Sequence, residues 1–427
     1  MPRIGCIADD LTGATDVASM LKKAGLQVLL ILDIPESDES LPPVDAMVIA
    51  LKTRTVPVAD AVAQSLAAWT WLRRNGATHA YFKYCSTFDS TAQGNIGPVL
   101  AALQRAMQQE MDTAFTIACP TFPANQRTVY MGQLFVGQQL ISDSPMRNHP
   151  LTPMTDANLV RVLQRQYPGQ VGLVDHLTIQ QSEVAISRAF HQGKEQGLGV
   201  AIVDAISEAD LNRIAHAAAE LPLISGGSAL AGFWARVLMP HLKGHHPTVN
   251  KQNAKPNMIG GGAVLIAGSC STATRAQIAA WDGDAVAIDP LISSDPSLLT
   301  AQALQTAKSA LAAGRPVLFH ASGSPTSVSQ VQEHYGVNQA ATLVESTCAQ
   351  IAAATQAMGI RRFIIAGGET SGAVARALGV HLLLVGDDIA PGVPWTLTME
   401  NKPMGLALKS GNFGDVHFFH TALEMSP

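Results

Sequence analysis

The sequence predicts an α/β protein of two domains, each a mainly parallel sheet flanked by helices, with the active site in the interdomain crevice. Three observations carry this reading. Short apolar runs alternate with longer segments of helical periodicity along most of the chain. One polar stretch rich in His, Lys, Asn, Pro and Gly interrupts the alternation. Small and polar residues crowd the positions just after the apolar runs, where ligands bind in open parallel sheets. A chain of 427 residues suffices for two such cores.

In chain order, apolar runs over 3–8, 27–32, 46–51, 80–83, 114–118 and 199–203 read as strands. Segments 12–23, 59–74, 97–109 and 209–221 carry apolar residues at helical spacing. A substrate-binding domain over 1–240 is thereby expected. Residues 241–262 read as a linker; His241, His245 and His246 within it lack acidic or cysteine neighbours and read as solvated rather than as a metal set. A nucleotide-binding domain is expected over 263–427, with strands starting near Ala263, Ala285, Pro316 and Arg362.

Composition narrows the function classes. Charged residues make up 14% and hydrophobic ones 47%, which argues against long disordered arms. With a net charge of -5, scattered cations and 5% aromatics, neither a polyanion footprint nor a base-stacking platform is present, so nucleic acid is not an expected partner. Asp9 and Asp10 interrupt the place where an export signal needs an apolar core. Apolar runs such as 263–267 fall far short of the ~20 residues of a membrane helix. Five scattered cysteines without a Cys-x-x-Cys pair predict reduced thiols and a cytoplasmic chain.

The second half carries three strand–loop–helix or strand–loop junctions rich in glycine. Phe363-Ile364-Ile365-Ala366 breaks at Gly367-Gly368-Glu369-Thr370 and restarts as a helix; a glycine pair permits close approach of a ligand, and the first helical amides are free to meet an anion. Ala263 to Ala267 runs into Gly268-Ser269-Cys270-Ser271, followed by hydroxyls at capping positions. Leu406-Ala407-Leu408-Lys409 runs into Ser410-Gly411-Asn412-Phe413-Gly414. Together they predict one phosphate-binding edge.

The first half offers different chemistry at its strand ends. Asp9 and Asp10 follow the first strand; one carboxylate serves as a helix cap and the other is available to a substrate hydroxyl as acceptor or general base. Lys52 and Arg54 suit an acidic ligand, because the guanidinium fork bonds both carboxylate oxygens. Lys83, Ser86, Thr87 and Asp89 lie in a loop dense in hydroxyls, followed by Asn95, and Arg127 ends a further loop. Carboxylates, hydroxyls and cations on one domain and phosphate-seating loops on the other point to phosphoryl transfer from a nucleotide to a small polyhydroxy acid. Gly-x-x-x-x-Gly-Lys-Ser/Thr, the protein-kinase set, the dinucleotide fingerprint and His-Glu-x-x-His are absent.

Ala8-Asp9-Asp10-Leu11-Thr12-Gly13-Ala14, the 83–91 loop, Ile224-Ser225-Gly226-Gly227-Ser228, Gly268-Ser269-Cys270-Ser271, Gly367-Gly368-Glu369-Thr370 and Ser410-Gly411-Asn412-Phe413-Gly414 appear in the order seen in four-carbon acid sugar kinases. The chain resembles that family over nearly its whole length. The Cys85-Ser86-Thr87-Phe88-Asp89-Ser90-Thr91 form is similar to the 3-oxo-tetronate 4-kinase branch and departs from the Lys-x-Asp-Ser-Thr-Leu-Arg-Gly-Asn loop of threonate and erythronate kinases. The resemblance implies transfer of the ATP γ-phosphoryl, with Mg2+, to the terminal hydroxyl of a 3-oxo-tetronate. It implies nucleotide contacts from Ser269, Ser271, Gly367, Gly368, Glu369, Thr370 and Gly411, with Glu369 directed to a ribose hydroxyl or a Mg2+ water. No metal ligand set of the protein's own is expected. On the acceptor side, the carboxylate is expected near Arg54 or Lys83 and the reacting hydroxyl near Asp10 or Asp9, with Asp89 a rival base; Lys52, Ser86, Thr87, Asn95 and Arg127 complete the substrate set. A threonate or erythronate kinase, a nicotinamide-dependent dehydrogenase and a non-catalytic sugar-acid sensor are the competing readings.

Overall fold

The computed structural model describes residues 3–34, 41–149, 151–242, 259–400 and 402–425. The chain forms two compact units, Met1–His246 and Pro247–Pro427. Most of the expected linker, with His245 and His246, lies outside the described residues, as does the side chain of His241.

The first unit is built on strands β1 (Arg3–Ala8), β2 (Val28–Ile31), β3 (Ala46–Ala50), β4 (Ala77–Lys83), β5 (Thr116–Cys119), β6 (Arg127–Tyr130), β7 (Gln133–Val136), β8 (Gln139–Leu140), β9 (Gln170–Val174), β10 (Leu198–Val203) and β11 (Leu223–Gly226). Its main sheet runs β2-β3-β1-β4-β11-β5-β10-β9, with every neighbouring pair parallel. Helices on its faces bury both sides, which is why Val28 to Ile31 read as one apolar run instead of alternating. The chain lays β2 and β3 on one side of β1 and then crosses to β4 on the other. That reversal makes the carboxyl end of β1 a switch point, where loops diverge and leave a crevice.

Register lines up the strand ends there. Ala8 pairs with Ala50 and Lys83, and Gly226 with Lys83 and Cys119, so the polar loops after these strands leave from one row. The antiparallel three-stranded sheet β6-β7-β8 lacks a counterpart in the sequence reading. Its two turns are Met131-Gly132 (φ 48 and 71) and Gly137-Gln138 (Gly137 φ 61), glycine signals that the sequence reading passed over because the strands they join are so short.

The second unit contains β12 (Ala263–Ala267), β13 (Asp284–Ala287), β14 (Val317–His320), β15 (Arg362–Ala366), β16 (Leu382–Ala390), β17 (Val393–Leu397) and β18 (Gly405–Lys409). The order is β13-β14-β12-β15-β18-β17-β16, parallel as far as β18, with β17 antiparallel to both its neighbours. Again one register row ends the parallel strands: Ala287, His320, Ala267, Ala366 and Lys409. Below it, Leu265, Leu318, Ile364, Trp395, Phe418 and Phe419 belong to one buried cluster that holds the sheet against the helix Phe418–Glu424.

Candidate active site

In the first unit the chain stays extended after β1 because the Asp9 amide donates to the Lys83 carbonyl (3.1 Å) while the Asp9 carbonyl accepts from Thr53 (2.9 Å) and Arg54 (3.3 Å). Asp10 then caps the helix Leu11–Lys23, its Oδ1 accepting from the Gly13 amide at 2.9 Å. Arg54 joins the two carboxylates. Its Nε and Nη2 bond both oxygens of Asp9 (2.9 and 2.8 Å), Nη2 also reaches Asp10 Oδ1 (2.8 Å), and Nη1 stands 3.6 Å from Asp89 Oδ2. The fork that the sequence offered to a substrate carboxylate is thus engaged by the protein's own acids. Burial pushes the Asp9 carboxyl upward and Arg54 opposes that. Burial also works against the Arg54 charge, but Asp9 and Asp10 outweigh it and hold the guanidinium well above its ordinary value.

The two acids differ in what remains open. Both oxygens of Asp9 are bonded and its side chain is 7% exposed, whereas the Asp10 side chain is 30% exposed and its bonds all fall on Oδ1. Lys83 is buried and spends one donor on the Tyr84 carbonyl (2.8 Å). A Cβ on Gly13 would stand 2.5 Å from Asp10 Oδ1 and 2.9 Å from Lys83 Nζ, so carboxylate and ammonium approach across a bare Cα.

The loop after β4 is held in an unusual backbone. Phe88 and Asp89 have φ of 62° and 35°; Asp tolerates the left-handed region, but a left-handed Phe is rare and characteristic of over-determined sites. Phe88 is fixed by burial and an edge contact with Tyr84 (centroids 5.4 Å apart). Thr87 Oγ1 donates to Asp89 Oδ1 at 2.6 Å and lies 2.8 Å from Cys85 Sγ. Burial raises the Cys85 thiol to about 12, which makes it a poor nucleophile. Asn95 donates through Nδ2 to the carbonyls of Thr53 (2.7 Å) and Val56 (2.9 Å), tying down the loop that carries Arg54. Arg127 bonds the Asn125 carbonyl of its own turn, Ser86 is half-buried and Lys52 is exposed.

In the second unit the glycine loops interlock. The amides of Gly268 and Ser269 donate to the Ala366 carbonyl (3.1 and 3.2 Å), and Gly367 donates to the Lys409 carbonyl (2.8 Å). Ser271 caps the helix Thr272–Ala279, and its Oγ together with that of Thr274 donates to the Gly411 carbonyl (2.6 and 2.8 Å). Gly367 sits at φ 133° and leads into the helix Gly368–Ala377 without a side-chain cap, leaving the first amides for a ligand. Beside these loops lies a cavity of ≈ 590 Å³, within the usual range for a small-molecule site. Ser269, Gly367, Gly368, Glu369 and Thr370 line one side; Ile288, Leu291, Val328, Val337, Ala340 and Val344 form an apolar wall suited to a flat base.

Some functional candidates escaped the sequence reading. His320 and Ser322 line the same cavity, and Ser322 Oγ donates to the Ser269 carbonyl at 2.5 Å. Their signal was present: His320 ends a strand and Ala321-Ser322-Gly323 follows it, just as the other three loops follow theirs. The apolar wall comes from the helices Pro325–Tyr335 and Val337–Ala357 and, through Ile288 and Leu291, from the loop after β13, and only tertiary packing brings those residues to the glycine loops. Lys409 is the other omission. It is 1% exposed and donates to Thr274 Oγ1 (3.1 Å) and to the carbonyls of Ser410 and Gly411 (3.0 Å each).

Residues 4–233 match the model of a sugar-binding N-terminal domain and residues 264–419 that of a nucleotide-binding C-terminal domain. Over 426 residues the chain is 49% identical to a 3-oxo-tetronate kinase of Burkholderia multivorans, covering 99% of this chain and 97% of that protein. The chain belongs to the four-carbon acid sugar kinase family. A 3-oxo-tetronate kinase of Cupriavidus necator is 48% identical, with coverage of 99% and 97%. A crystal structure from Salmonella typhimurium LT2, provisionally described as a tRNA synthase, is 39% identical and superposes with a TM-score of 0.89 over 100% of both chains.

Within this family's nucleotide domain, Gly367 is the most conformationally demanding position of the loops described. A φ of 133° is foreign to side chains, with a strain cost of about 1–3 kcal/mol. Gly367→Ala is therefore expected to weaken ATP binding roughly ten-fold or more while leaving acid binding unchanged, as read by titration calorimetry.

Proposed function

We propose that this protein transfers the γ-phosphoryl group of ATP to the 4-hydroxyl of a 3-oxo-tetronate, giving the 4-phosphate and ADP. The observation that carries this reading is the near-full-length identity to proteins named 3-oxo-tetronate kinase, at 49% and 48%. The geometry supplies the means. Asp10 Oδ2, open while Oδ1 is pinned by Gly13 and Arg54, accepts the proton of the attacking hydroxyl. Lys83 offers its remaining donors to the acid's carboxylate, and Thr87, Ser86 and Asp89 orient its polar groups. Asp9, Arg54 and Asn95 serve as the frame.

The nucleotide lies with its base against the apolar wall and its phosphates at the amides and hydroxyls of Ser269, Gly367, Gly368 and Thr370. Glu369, at the cavity edge, meets a ribose hydroxyl or a water of the metal. Mg2+ would enter with ATP, held by phosphate oxygens and water. Phosphoryl transfer then rests on positioning and charge stabilisation, for which a carboxylate base is sufficient. The free, largely buried thiols fit a reducing cytoplasm.

A coupled ADP-release assay with Mg-ATP tests this directly. Turnover of 3-oxo-tetronates is expected to exceed that of threonate and erythronate by about 100-fold in kcat/KM, since a planar C3 and a tetrahedral C3 carry the reacting 4-hydroxyl to different positions and a misplacement of about 1 Å costs about that much. Equal or faster turnover of threonate or erythronate would move the chain to the other branch of the family. Tight acid binding without any nucleotide affinity would support a sensor instead.

A further inference from the structure

Lys409 ends β18 in the register row from which the phosphate-seating loops depart, and its ammonium is packed inside the unit. Its hydrogen-bond partners are neutral: the Thr274 hydroxyl and the carbonyls of Ser410 and Gly411, with the Phe418 ring 5.7 Å away. Among the described residues no carboxylate forms an ion pair with it. Burial alone lowers the ammonium to about 8, with no acidic neighbour to restore it.

The placement is costly in a second way. Thr274 lies in the first turn of the helix Thr272–Ala279, whose amino end carries partial positive charge, so the ammonium stands where a helix disfavours a cation. A buried charge without a counter-ion, beside a second positive pole, lowers stability unless an anion completes the set. The three ammonium donors are spent on Thr274, Ser410 and Gly411, so the charge acts on a ligand through its field and through the loop it holds: the Gly411 carbonyl also takes the Ser271 and Thr274 hydroxyls, which ties Lys409 to the 268–271 turn beside the cavity.

We propose that Lys409 is the buried counter-charge for the nucleotide phosphates, a positioning residue whose charge is completed by the bound anion. The inference rests on the nucleotide reading above and deepens it. It separates charge from mere hydrogen bonding, because Gln keeps amide donors at this position and Met keeps neither donors nor charge.

The test compares wild type with Lys409→Met and Lys409→Gln by calorimetric binding of ADP and adenosine, and by thermal melting without ligand. Both variants are expected to bind ADP at least ten-fold more weakly while binding adenosine as wild type does, and to melt no lower than wild type, since an uncompensated buried charge has been removed. Full ADP binding by Lys409→Gln would reduce Lys409 to a hydrogen-bond clamp and overturn the proposal. So would unfolding of either variant, or a melting point several degrees below wild type, which would make the residue structural. Failure of wild type to bind ADP or ATP at all would instead overturn the kinase reading on which the inference rests.

Discussion

Asp10→Asn is expected to lower kcat on a 3-oxo-tetronate by about 10²–10⁴-fold without unfolding the protein. Asn is as good a helix cap as Asp, so the bond from the Gly13 amide and the start of the helix Leu11–Lys23 survive. What disappears is the proton acceptor at Oδ2. The corresponding change at Asp9 has a different signature, because both its oxygens are spent on Arg54 and it is buried; Asp9→Asn disturbs the ion-pair frame and lowers stability along with activity. Steady-state kinetics and chemical denaturation on both variants separate the roles. An Asp10→Asn enzyme with unchanged kcat would remove Asp10 as base and leave Asp89 or Asp9 in its place.

Arg54→Ala is expected to be the most destabilising single change at this site, by about 3–5 kcal/mol, because it strips the cation from buried Asp9 and leaves Asp10 and Asp89 to repel it. The loss is read as a shift of the urea midpoint of the first unfolding transition. The deficit should shrink as pH falls through the carboxylate range, since protonating the orphaned acids relieves both repulsion and desolvation. Arg54→Lys is expected to recover only part of it, as an ammonium cannot bond both Asp9 oxygens in the same plane. A variant that unfolds at the wild-type midpoint would show that solvent, and not Arg54, balances these acids.

The alternation of strands and helices was legible because burial on both faces writes parallel strands as unbroken apolar runs, such as Val28–Ile31 and Ala263–Ala267. The site loops were legible because ligand chemistry in such sheets gathers at strand ends. What could not be read was the division of labour among residues at one edge. Arg54 looked like a substrate clamp from its neighbours in sequence, yet partners 45 and 44 residues away engage its fork. Asn95 looked like a ligand contact; its Nδ2 donates to backbone carbonyls of residues 53 and 56, a structural task that sequence could not show, while its buried Oδ1 has no partner among the described residues. Lys409 passed as the last residue of a strand, because its lack of a counter-charge is a property of the packed structure. The small sheet β6-β7-β8 was missed although Gly132 and Gly137 mark its turns, because strands of 4, 4 and 2 residues are too short for an alternating pattern to register.

The central claim is that phosphate is transferred to the terminal hydroxyl of a 3-oxo acid, and product analysis tests it most directly. Incubation with Mg-ATP and 3-oxo-tetronate, followed by mass spectrometry and phosphorus–proton correlation NMR, is predicted to give one added phosphate coupled to the C4 methylene protons, in step with ADP release. A phosphate coupled to the C2 proton, a hydroxylamine-labile acyl phosphate, or ADP release without a phosphorylated acid would contradict it.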